Sequence, residues 1–582
     1  MDSELTVTSA FAKLHAEDPD RKLFVFVDEQ GRDGEHLTVQ MLAAGAQAVR
    51  TLLESAGLNP GDRVLLLHLP SLDFIVAFLG CQAAGLIPVP LAPPNPFKLA
   101  NEVGAVSTIA NSCGARAILT HTDYRAVVDA IPLPAEGPQW PDLPWLSPDD
   151  SEQPDGSPEF RYEPADLDEP AFLQYTSGST GFPKGVVVTH RNVHHELAAL
   201  AADFELGDDT VAVSWLPHFH DLGLVCVLLS TLVGNAGRTY LISPLSFLQR
   251  PAVWFDVLSR VRGTHTTAPN FAYDLIVRKT TPEQRAGWDL SSVRRLGSAG
   301  EIVQPSTVET FFATFESTGV PREAFHPGYG LAEHTLSVTV ATSGALALDR
   351  DQLEQGRAVP ATSSSTREPA VFYGSGWVTK PNARVRIVNP ETAQPCEPDE
   401  IGEIWVDSPT KARGYWSLDK ETRRAFHAVV ADGDPRQYLR TGDLGFLRAG
   451  ELFVTGRLKD LVIIHGRNYA PQDIEASVRN AHSRIRAGGI AAFSVPPLPD
   501  TTSGERLIVL AETTGAELDE ATAADIRRAI RRQVRDDHGV ACHDVLVGTG
   551  LVLKTTSGKV RRAACRAEFL QQENERRLVP GR

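Results

Sequence analysis

The chain has few cysteines and none of the segments that mark secreted or membrane proteins. Its six cysteines are scattered without a C-x-x-C pair, so neither a disulfide framework nor a zinc site is expected. No apolar run is long enough to span a bilayer, and the acidic start Met1-Asp2-Ser3-Glu4 lacks the apolar core of a signal peptide. These absences predict a cytoplasmic protein with reduced thiols and no transmembrane segment.

Positive charge is also scarce. The 582 residues carry 56 Lys and Arg against 73 Asp and Glu, which gives a formal net charge of −17. This balance argues against nucleic acid as the main partner, because phosphate backbones are bound by basic surfaces. The 42% hydrophobic content is ordinary for a globular protein, and the length predicts more than one domain.

The most distinctive run of the sequence is rich in glycine and hydroxyl side chains. It spans residues 173–185, which read LQYTSGSTGFPKG. Glycines let backbone N–H groups approach an anion closely, hydroxyls add donors, and lysine adds charge. Apolar residues flank the run on both sides, so it predicts a strand, a phosphate-binding turn and a second strand. The Walker A spacing is not met, and a mobile surface loop is the alternative interpretation.

Strand and helix patterns alternate along the first part of the chain. Residues 23–27, 64–68 and 87–91 predict buried strands, whereas 37–56 and 71–84 show the apolar spacing of amphipathic helices. This alternation predicts parallel sheets of the α/β class.

A strand-like run ends in the polar, aromatic turn at residues 213–223. Such a turn is a typical place for a site in an open α/β sheet. His218 and His220 could instead be surface residues, and beside Asp221 they could suggest a metal site, but two further ligands are not in view.

The second half of the chain has a different character. Residues 345–375 are polar and rich in Ser and Thr, and predict either an insertion or a surface hairpin, and β-structure follows to about residue 454. The run Gly456-Arg457-Leu458-Lys459-Asp460 marks a boundary between residues 1–458 and a smaller α/β unit, 459–582. Near the end of that unit, residues 553–562 predict a glycine-hinged loop that would expose Lys559.

Six motifs in order make the chain resemble the adenylate-forming (ANL) superfamily of acyl-CoA synthetases, peptide-synthetase adenylation domains and luciferases. The resemblance extends from the first helices to Arg566. The motifs are Tyr175 to Gly185, Gly328 to Glu333, Gly402-Glu403-Ile404, Thr441-Gly442-Asp443, Gly456-Arg457 and Ser557-Gly558-Lys559.

Within that superfamily the chain looks most like a fatty acyl-AMP ligase. The runs that carry this likeness are Leu173 to Tyr175, Ser214 to Pro217 with His220-Asp221, Pro269 to Leu275, and Arg467 to Glu475. The resemblance implies a large N-terminal domain of α/β sheets with a β-rich subdomain, followed by a small mobile C-terminal α/β domain. It also implies that residues 345–375 are the family insertion associated with poor use of coenzyme A.

The implied activity is ATP-dependent conversion of a fatty acid to acyl-AMP, with Mg²⁺ and with release of pyrophosphate. The acyl group then passes to the phosphopantetheine thiol of an acyl carrier protein. Two alternatives are an acyl-CoA synthetase of the same fold and a non-catalytic adenylate-binding protein.

The resemblance further assigns site residues. It gives Lys559 and His220 catalytic roles, and it implies that Glu333 and Thr176 bind the magnesium ion. The ATP-binding residues are Thr176, Ser177, Gly178, Ser179, Thr180, Gly181, Lys184, Ala299, Gly300, Glu301, Gly328, Tyr329, Gly330, Asp443 and Arg457. The substrate-pocket candidates are Trp215, His220, Asp221, Asn270, Phe271 and Leu331. The chain departs from the family pattern at Ser298-Ala299 and at His334.

Overall fold

The computed structural model describes residues 5–148, 159–176, 182–464, 467–497, 505–515, 518–554 and 560–578. The first part of the chain alternates strands with helices, as the hydrophobic pattern predicts. In order these elements are α1 Val7–Glu17, β1 Lys22–Val27, β2 Asp33–Thr38, α2 Val39–Ser55, β3 Arg63–Leu66, α3 Asp73–Ala83, β4 Ile87–Pro90, α4 Leu99–Cys113, β5 Ala117–Leu119, α5 Thr122–Asp129, β6 Trp145–Leu146, β7 Pro170–Thr176, β8 Lys184–Thr189, α6 His190–Asp203, β9 Val211–Ser214, α7 Ser230–Leu232, β10 Arg238–Ile242, α8 Pro244–Gln249, α9 Ala252–Arg260, β11 His265–Ala268, α10 Asn270–Lys279, α11 Pro282–Ala286, β12 Arg295–Ser298, α12 Pro305–Phe315, β13 Phe325–Gly330 and β14 Ser337–Val340.

These elements build two sheets. The larger has eight strands in the order β14-β13-β12-β11-β9-β10-β1-β2, and all of its neighbours are parallel except the two outermost pairs. The smaller, β4-β3-β5-β6, is entirely parallel. One apolar core joins both sheets to the helices around them, and Trp254, Phe255 and Phe315 are among its fully buried side chains. The predicted α/β class is therefore confirmed.

The hairpin of β7 and β8 supports the glycine-rich run. The two strands are antiparallel, and Thr176 pairs with Lys184 where they meet the turn. α6 begins directly after β8, because Thr189 and Asn192 form a capping box at its first turn.

The apolar stretch after Asp221 forms a π-helix, Leu222–Leu229, rather than an ordinary α-helix. π-Helices are rare and are found mostly at functional sites. Apolar spacing alone does not distinguish this geometry.

A β-rich part follows. Its elements are β15 Ala345–Leu348, α13 Arg350–Glu354, β16 Ala370–Tyr373, β17 Arg384–Val388, β18 Gly402–Asp407, α14 Asp419–Phe426, β19 Leu439–Arg448 and β20 Glu451–Arg457. β17 to β20 form a four-stranded antiparallel sheet. β15 and β16 pair antiparallel at the two ends of the Ser- and Thr-rich segment, and that segment packs on Phe446 and Phe453.

The last part has its own core. Its elements are β21 Val462–Ile464, β22 Arg467–Tyr469, α15 Pro471–Ala481, β23 Ile485–Val495, β24 Arg506–Thr513, α16 Glu520–His538, β25 Cys542–Gly548 and α17 Arg562–Leu578. β23, β24 and β25 form a mixed sheet covered by α15 and α16. Over the described stretches of the chain, no helix has the length and apolar character needed to cross a bilayer.

Candidate active site

Four neighbouring parallel strands of the large sheet end at one edge, and predicted site residues follow each of them. Trp215 follows β9, Asn270 follows β11, and Ala299 follows β12, while Gly328 to Gly330 close β13. Ligands of open α/β sheets bind at the carboxyl ends of the strands. The topology therefore gathers segments that are far apart in sequence at one rim.

Asp443 is the centre of a polar cluster where β13 meets β19 and β20. The Tyr329 hydroxyl donates to Oδ2 of Asp443 at 2.8 Å, and Nε of Arg457 lies 3.2 Å from Oδ1. Asp443 and Arg457 face each other across the β19–β20 ladder. Burial raises the pKa of the Asp443 carboxyl, while Arg457 and the Tyr329 hydroxyl act in the opposite direction. A buried carboxylate with two flanking donors is suited to accept hydrogen bonds from the hydroxyls of a sugar.

Glu333 lies on a short 3₁₀ turn, residues 332–334, after β13. Tyr415 donates its hydroxyl to Oε1 of Glu333 at 2.9 Å, and the ammonium of Lys184 lies 4.8 Å from the centre of the Tyr415 ring. Lys184 therefore reaches the glutamate's neighbourhood through a cation–π contact. The charges of Arg457 and Asp443 also act on Glu333, so both polar clusters share one site.

The environment of Glu333 suits a divalent cation. Burial raises the pKa of this carboxyl, and no Lys or Arg of the described residues lies within ion-pair distance of it. Glu333 is half-buried, and a partly desolvated carboxylate without a paired cation is costly, so oxygen-bound Mg²⁺ would relieve that cost. No group of three His, Cys, Asp or Glu side chains in the described ranges could hold a metal alone, so phosphate oxygens would have to complete the coordination.

Two predicted elements fall where the structure gives no description. Ser177 to Gly181, the centre of the glycine-rich turn, and Lys559 lie outside the described residues. Close to Lys559 in sequence, Arg562 pairs with Glu475 at 2.6 Å and with Asp460 at 3.5 Å. The start of α17 is thereby tied to the segment that joins the last part of the chain to β20.

Glu301 has a structural partner within the site. Its carboxylate accepts a hydrogen bond of 3.0 Å from the backbone N–H of Phe271, in the first turn of α10. Asn270 accepts a hydrogen bond from the backbone N–H of Gln304, also at 3.0 Å. These bonds bring Asn270, Phe271 and Glu301 together and fix the backbone around Ala299 and Gly300, where φ of Gly300 is +82°.

The two histidines after β9 have opposite environments. His220 is partly exposed, and its Nδ1 lies 2.7 Å from Oδ1 of Asp221. His218 is buried against Phe74, and burial lowers its pKa to about 4. Gln174 of β7 donates to the carbonyl of Phe219 and holds the turn beside the glycine-rich run. Of the two histidines, His220 is therefore the one that solvent reaches.

Two substrate-pocket candidates lie mainly in packing positions. Trp215 is buried and stacks on Phe247 with ring centres 3.9 Å apart, and its edge meets Phe271. Leu331 packs beside Tyr329 and donates its N–H to the carbonyl of Leu336.

Tyr415 was not among the residues singled out from the sequence, although it binds Glu333 directly. It follows Gly414, whose φ is +146° and whose carbonyl accepts a hydrogen bond from Val187 of β8. A glycine-tyrosine pair after a strand-like run was the available signal. Only the fold shows that this segment lies against the β7–β8 hairpin.

Comparison with known proteins gives a consistent picture. The family model described as "AMP-binding enzyme" matches residues 11–416. The chain is 38% identical over 559 residues to the medium-chain-fatty-acid–[acyl-carrier-protein] ligase JamA of Moorena producens, covering 95% of this chain and 93% of that protein. It is 36% identical to the 4-hydroxyphenylalkanoate adenylyltransferase of Mycobacterium marinum, with 97% and 92% covered.

A solved structure is similar over nearly the whole chain. It is the fatty acyl-adenylate ligase of Legionella pneumophila in complex with acyl adenylate and pyrophosphate. The sequence identity is 35%, the TM-score is 0.73, and the match covers 97% of this chain and 96% of that one.

Proposed function

This chain belongs to the AMP-binding enzyme family, and on that premise we propose that it converts a fatty acid to acyl-AMP and then loads the acyl group onto an acyl carrier protein. In the first step a carboxylate oxygen bonds to the α-phosphorus of ATP, and the bond to pyrophosphate breaks. In the second step the phosphopantetheine sulfur bonds to the acyl carbon, and AMP leaves. The resemblance to fatty acyl-AMP ligases inferred from the motifs is confirmed by these relatives.

The observation that carries the proposal is the half-buried carboxylate of Glu333, which pairs with no Lys or Arg among the described residues and shares the Tyr415 side chain with Lys184. Glu333 would hold a magnesium ion, which supplies positive charge against the phosphate oxygens. Lys184 and Thr176, paired across the β7–β8 hairpin, would bind the leaving phosphates. Charge builds on the phosphoryl oxygens during transfer, so these groups act by positioning and by electrostatic stabilisation.

The Asp443 cluster supports binding of the nucleoside. Asp443 accepts from Tyr329 and is held by Arg457, so its orientation is fixed before any ligand arrives. The ribose hydroxyls would donate to this carboxylate, and adenine would lie against the backbone at Ala299 to Glu301 and the face of Tyr329.

A small cavity lies in the interior of the first part of the chain. It has a volume of about 40 Å³ and lies between the large sheet, α6 and the π-helix. Ser214 and Thr267, near the carboxyl ends of β9 and β11, form part of its lining, together with Leu200, Phe204, Val213 and Val227. Thr210 and His265 line it at the amino ends of the same two strands, and its volume is far below the roughly 300–1,000 Å³ of ligand sites, so an alkyl chain would need a larger space than this cavity.

The last part of the chain would complete the site. Lys559 would contact both the carboxylate of the acid and the α-phosphate, and residues 459–582 would rotate about Lys459-Asp460 between the two steps. Loss of one such transition-state contact typically lowers a rate by about 10²–10³.

One experiment tests the proposal. The purified protein is given ATP, Mg²⁺ and a panel of short, medium, long and aryl acids, and acyl-AMP and pyrophosphate are quantified. Phosphopantetheinylated carrier protein or coenzyme A is then added. We expect acyl-AMP from at least one fatty acid and acyl transfer to the carrier; robust acyl-CoA formation would overturn the carrier assignment.

One variant and one further outcome sharpen this assay. Lys559→Ala should lose acyl-AMP formation, and a wild-type rate would remove the role assigned to that lysine. Background ATP–pyrophosphate exchange with every acid would instead favour a non-catalytic adenylate-binding protein.

A further inference from the structure

The turn that follows Glu333 is strained. Thr335, a β-branched residue, has φ +66° and ψ −56°. The N–H of Leu336 donates to the carbonyl of His334 at 2.7 Å and closes a three-residue γ-turn of the rarer, positive-φ form. Such conformations persist only where the surrounding structure enforces them, and they concentrate at functional sites.

The buried ion pair of Lys380 and Glu196 binds Ser337, the residue that follows this turn. Nζ of Lys380 lies 2.5 Å from Oε2 of Glu196 and also donates to the carbonyl of Ser337. Oε1 of Glu196 accepts from the backbone N–H of Ser337 at 3.0 Å and from its hydroxyl. The side chains of Lys380 and Glu196 are 3% and 0% exposed. Ser337 is therefore held at its N–H, carbonyl and hydroxyl by one pair of charges.

The other residues of the turn are fixed by the loop that follows β18. His334 is fully buried, and its Nε2 lies 2.6 Å from the Ser408 hydroxyl. The Thr335 hydroxyl donates to the carbonyl of Thr410 at 2.8 Å. Ala412 donates its N–H to the carbonyl of Glu333 at 3.0 Å.

One face of α6 contacts both the Ser337 end of the turn and the loop that follows β18. Asn192 donates to the carbonyls of Pro409 and Lys411 at 2.9 and 3.0 Å, and Glu196 lies one turn further along the helix. Because α6 continues directly from β8, the contacts of Asn192 and Glu196 link the strand of Lys184 to the turn that carries Glu333.

We propose that Glu196 and Lys380 are positioning residues, which act through the Ser337 turn to hold the Glu333 carboxylate in the orientation that binds the metal–nucleotide complex. A buried ion pair is a weak source of stability, since apolar residues of the same size often serve as well. The pair instead fixes geometry. It holds Ser337, four residues from Glu333, and so keeps the intervening strained turn from a relaxed form that would present the carboxylate differently. The inference rests on the proposed function only in placing the metal at Glu333.

The test compares Lys380→Met, Glu196→Gln and the double variant E196Q/K380M with the wild type. The readouts are the dissociation constant of Mn²⁺ in the presence of a non-hydrolysable ATP analogue, the affinity for AMP without metal, and the thermal midpoint Tm. Arg506→Met is the matched control, because Arg506 is also a buried cation, 6% exposed and paired with Glu573, in the last part of the chain.

We expect each single variant to weaken Mn²⁺ binding by about 10- to 100-fold, the usual effect of losing a partner that orients a metal ligand. AMP affinity should change by less than about threefold, and Arg506→Met should lower Tm without affecting Mn²⁺. The double variant removes both charges, so its Tm should recover relative to Lys380→Met while its Mn²⁺ affinity stays low.

Two outcomes would overturn the inference. One is wild-type Mn²⁺ affinity in folded E196Q/K380M. The other is an equal loss of Mn²⁺ affinity in Arg506→Met, which would show that the Glu196–Lys380 pair affects metal binding only through the overall stability of the protein. Failure of the proposed function appears separately, as a wild-type protein that binds Mn²⁺ and nucleotide but forms no acyl-AMP.

Discussion

Tyr415→Phe removes a single oxygen from the site and should reduce adenylation strongly. The hydroxyl donates to Glu333 at 2.9 Å, whereas the ring, which contacts Lys184 and packs on Phe426, stays in place. A hydrogen bond to a charged group contributes about 1.5–3 kcal/mol, and each ~1.4 kcal/mol corresponds to a factor of ten. We therefore expect kcat/KM for ATP to fall by about 10- to 100-fold.

The assay is pyrophosphate release at varied ATP and saturating fatty acid, with Tm measured in parallel. Tyr438→Phe is the control, because Tyr438 also donates its hydroxyl to a carboxylate, that of Asp434, at 2.8 Å, and is buried more deeply than Tyr415. Its loss should lower Tm and leave kcat/KM close to wild type. A fall of less than about threefold in Tyr415→Phe would refute the view that this hydroxyl orients Glu333.

Three further predictions concern acid stability, nucleotide binding and the coupling of the last part of the chain. Burial lowers the pKa to about 4 at His190, His218 and His265. These imidazoles stay neutral in the folded state, so the stability they contribute is present above about pH 6.5 and is lost as the pH falls toward 4. The free energy of unfolding measured in urea should therefore fall by about 4 kcal/mol between pH 7.5 and 5.5. Equal urea midpoints at the two pH values would contradict this expectation. Asp443→Asn should weaken AMP binding by at least about tenfold in calorimetry, and unchanged affinity would exclude this carboxylate from the ribose site. Glu354 is buried between Arg367 at 2.7 Å and Arg467 at 3.0 Å, and so joins the 345–375 segment to β22. Glu354→Gln should speed amide hydrogen exchange in β22. Exchange as slow as in the wild type would show that the ion pair of Glu354 with Arg467 does not restrain this strand.

The sequence predicted the architecture because hydrophobic period and motif order are local properties. Strands at 23–27, 64–68 and 87–91 appear as β1, β3 and β4, and the strand–turn–strand flanks of the glycine-rich run appear as β7 and β8. Parallel pairing follows from the alternation with helices.

Details that depend on long-range packing could not be predicted in this way. His218 and His220 are two residues apart, yet one is buried against Phe74 and the other is partly exposed and contacts Asp221. The pairing of Lys380 with Glu196, 184 residues away, has no sequence signature, because opposite charges that distant are common in any chain. The bond from Phe271 to Glu301 likewise depends on how β11 and β12 are placed side by side.

In the proposed reaction, a carboxylate oxygen of the acid attacks the α-phosphorus of ATP. The most direct test is a turnover with a fatty acid labelled in its carboxylate with ¹⁸O, followed by acyl transfer to the carrier protein and mass analysis of the nucleotide product. We expect AMP that carries one ¹⁸O atom, because the bridging oxygen leaves with the phosphate. Unlabelled AMP, or labelled phosphate with ADP, would contradict it.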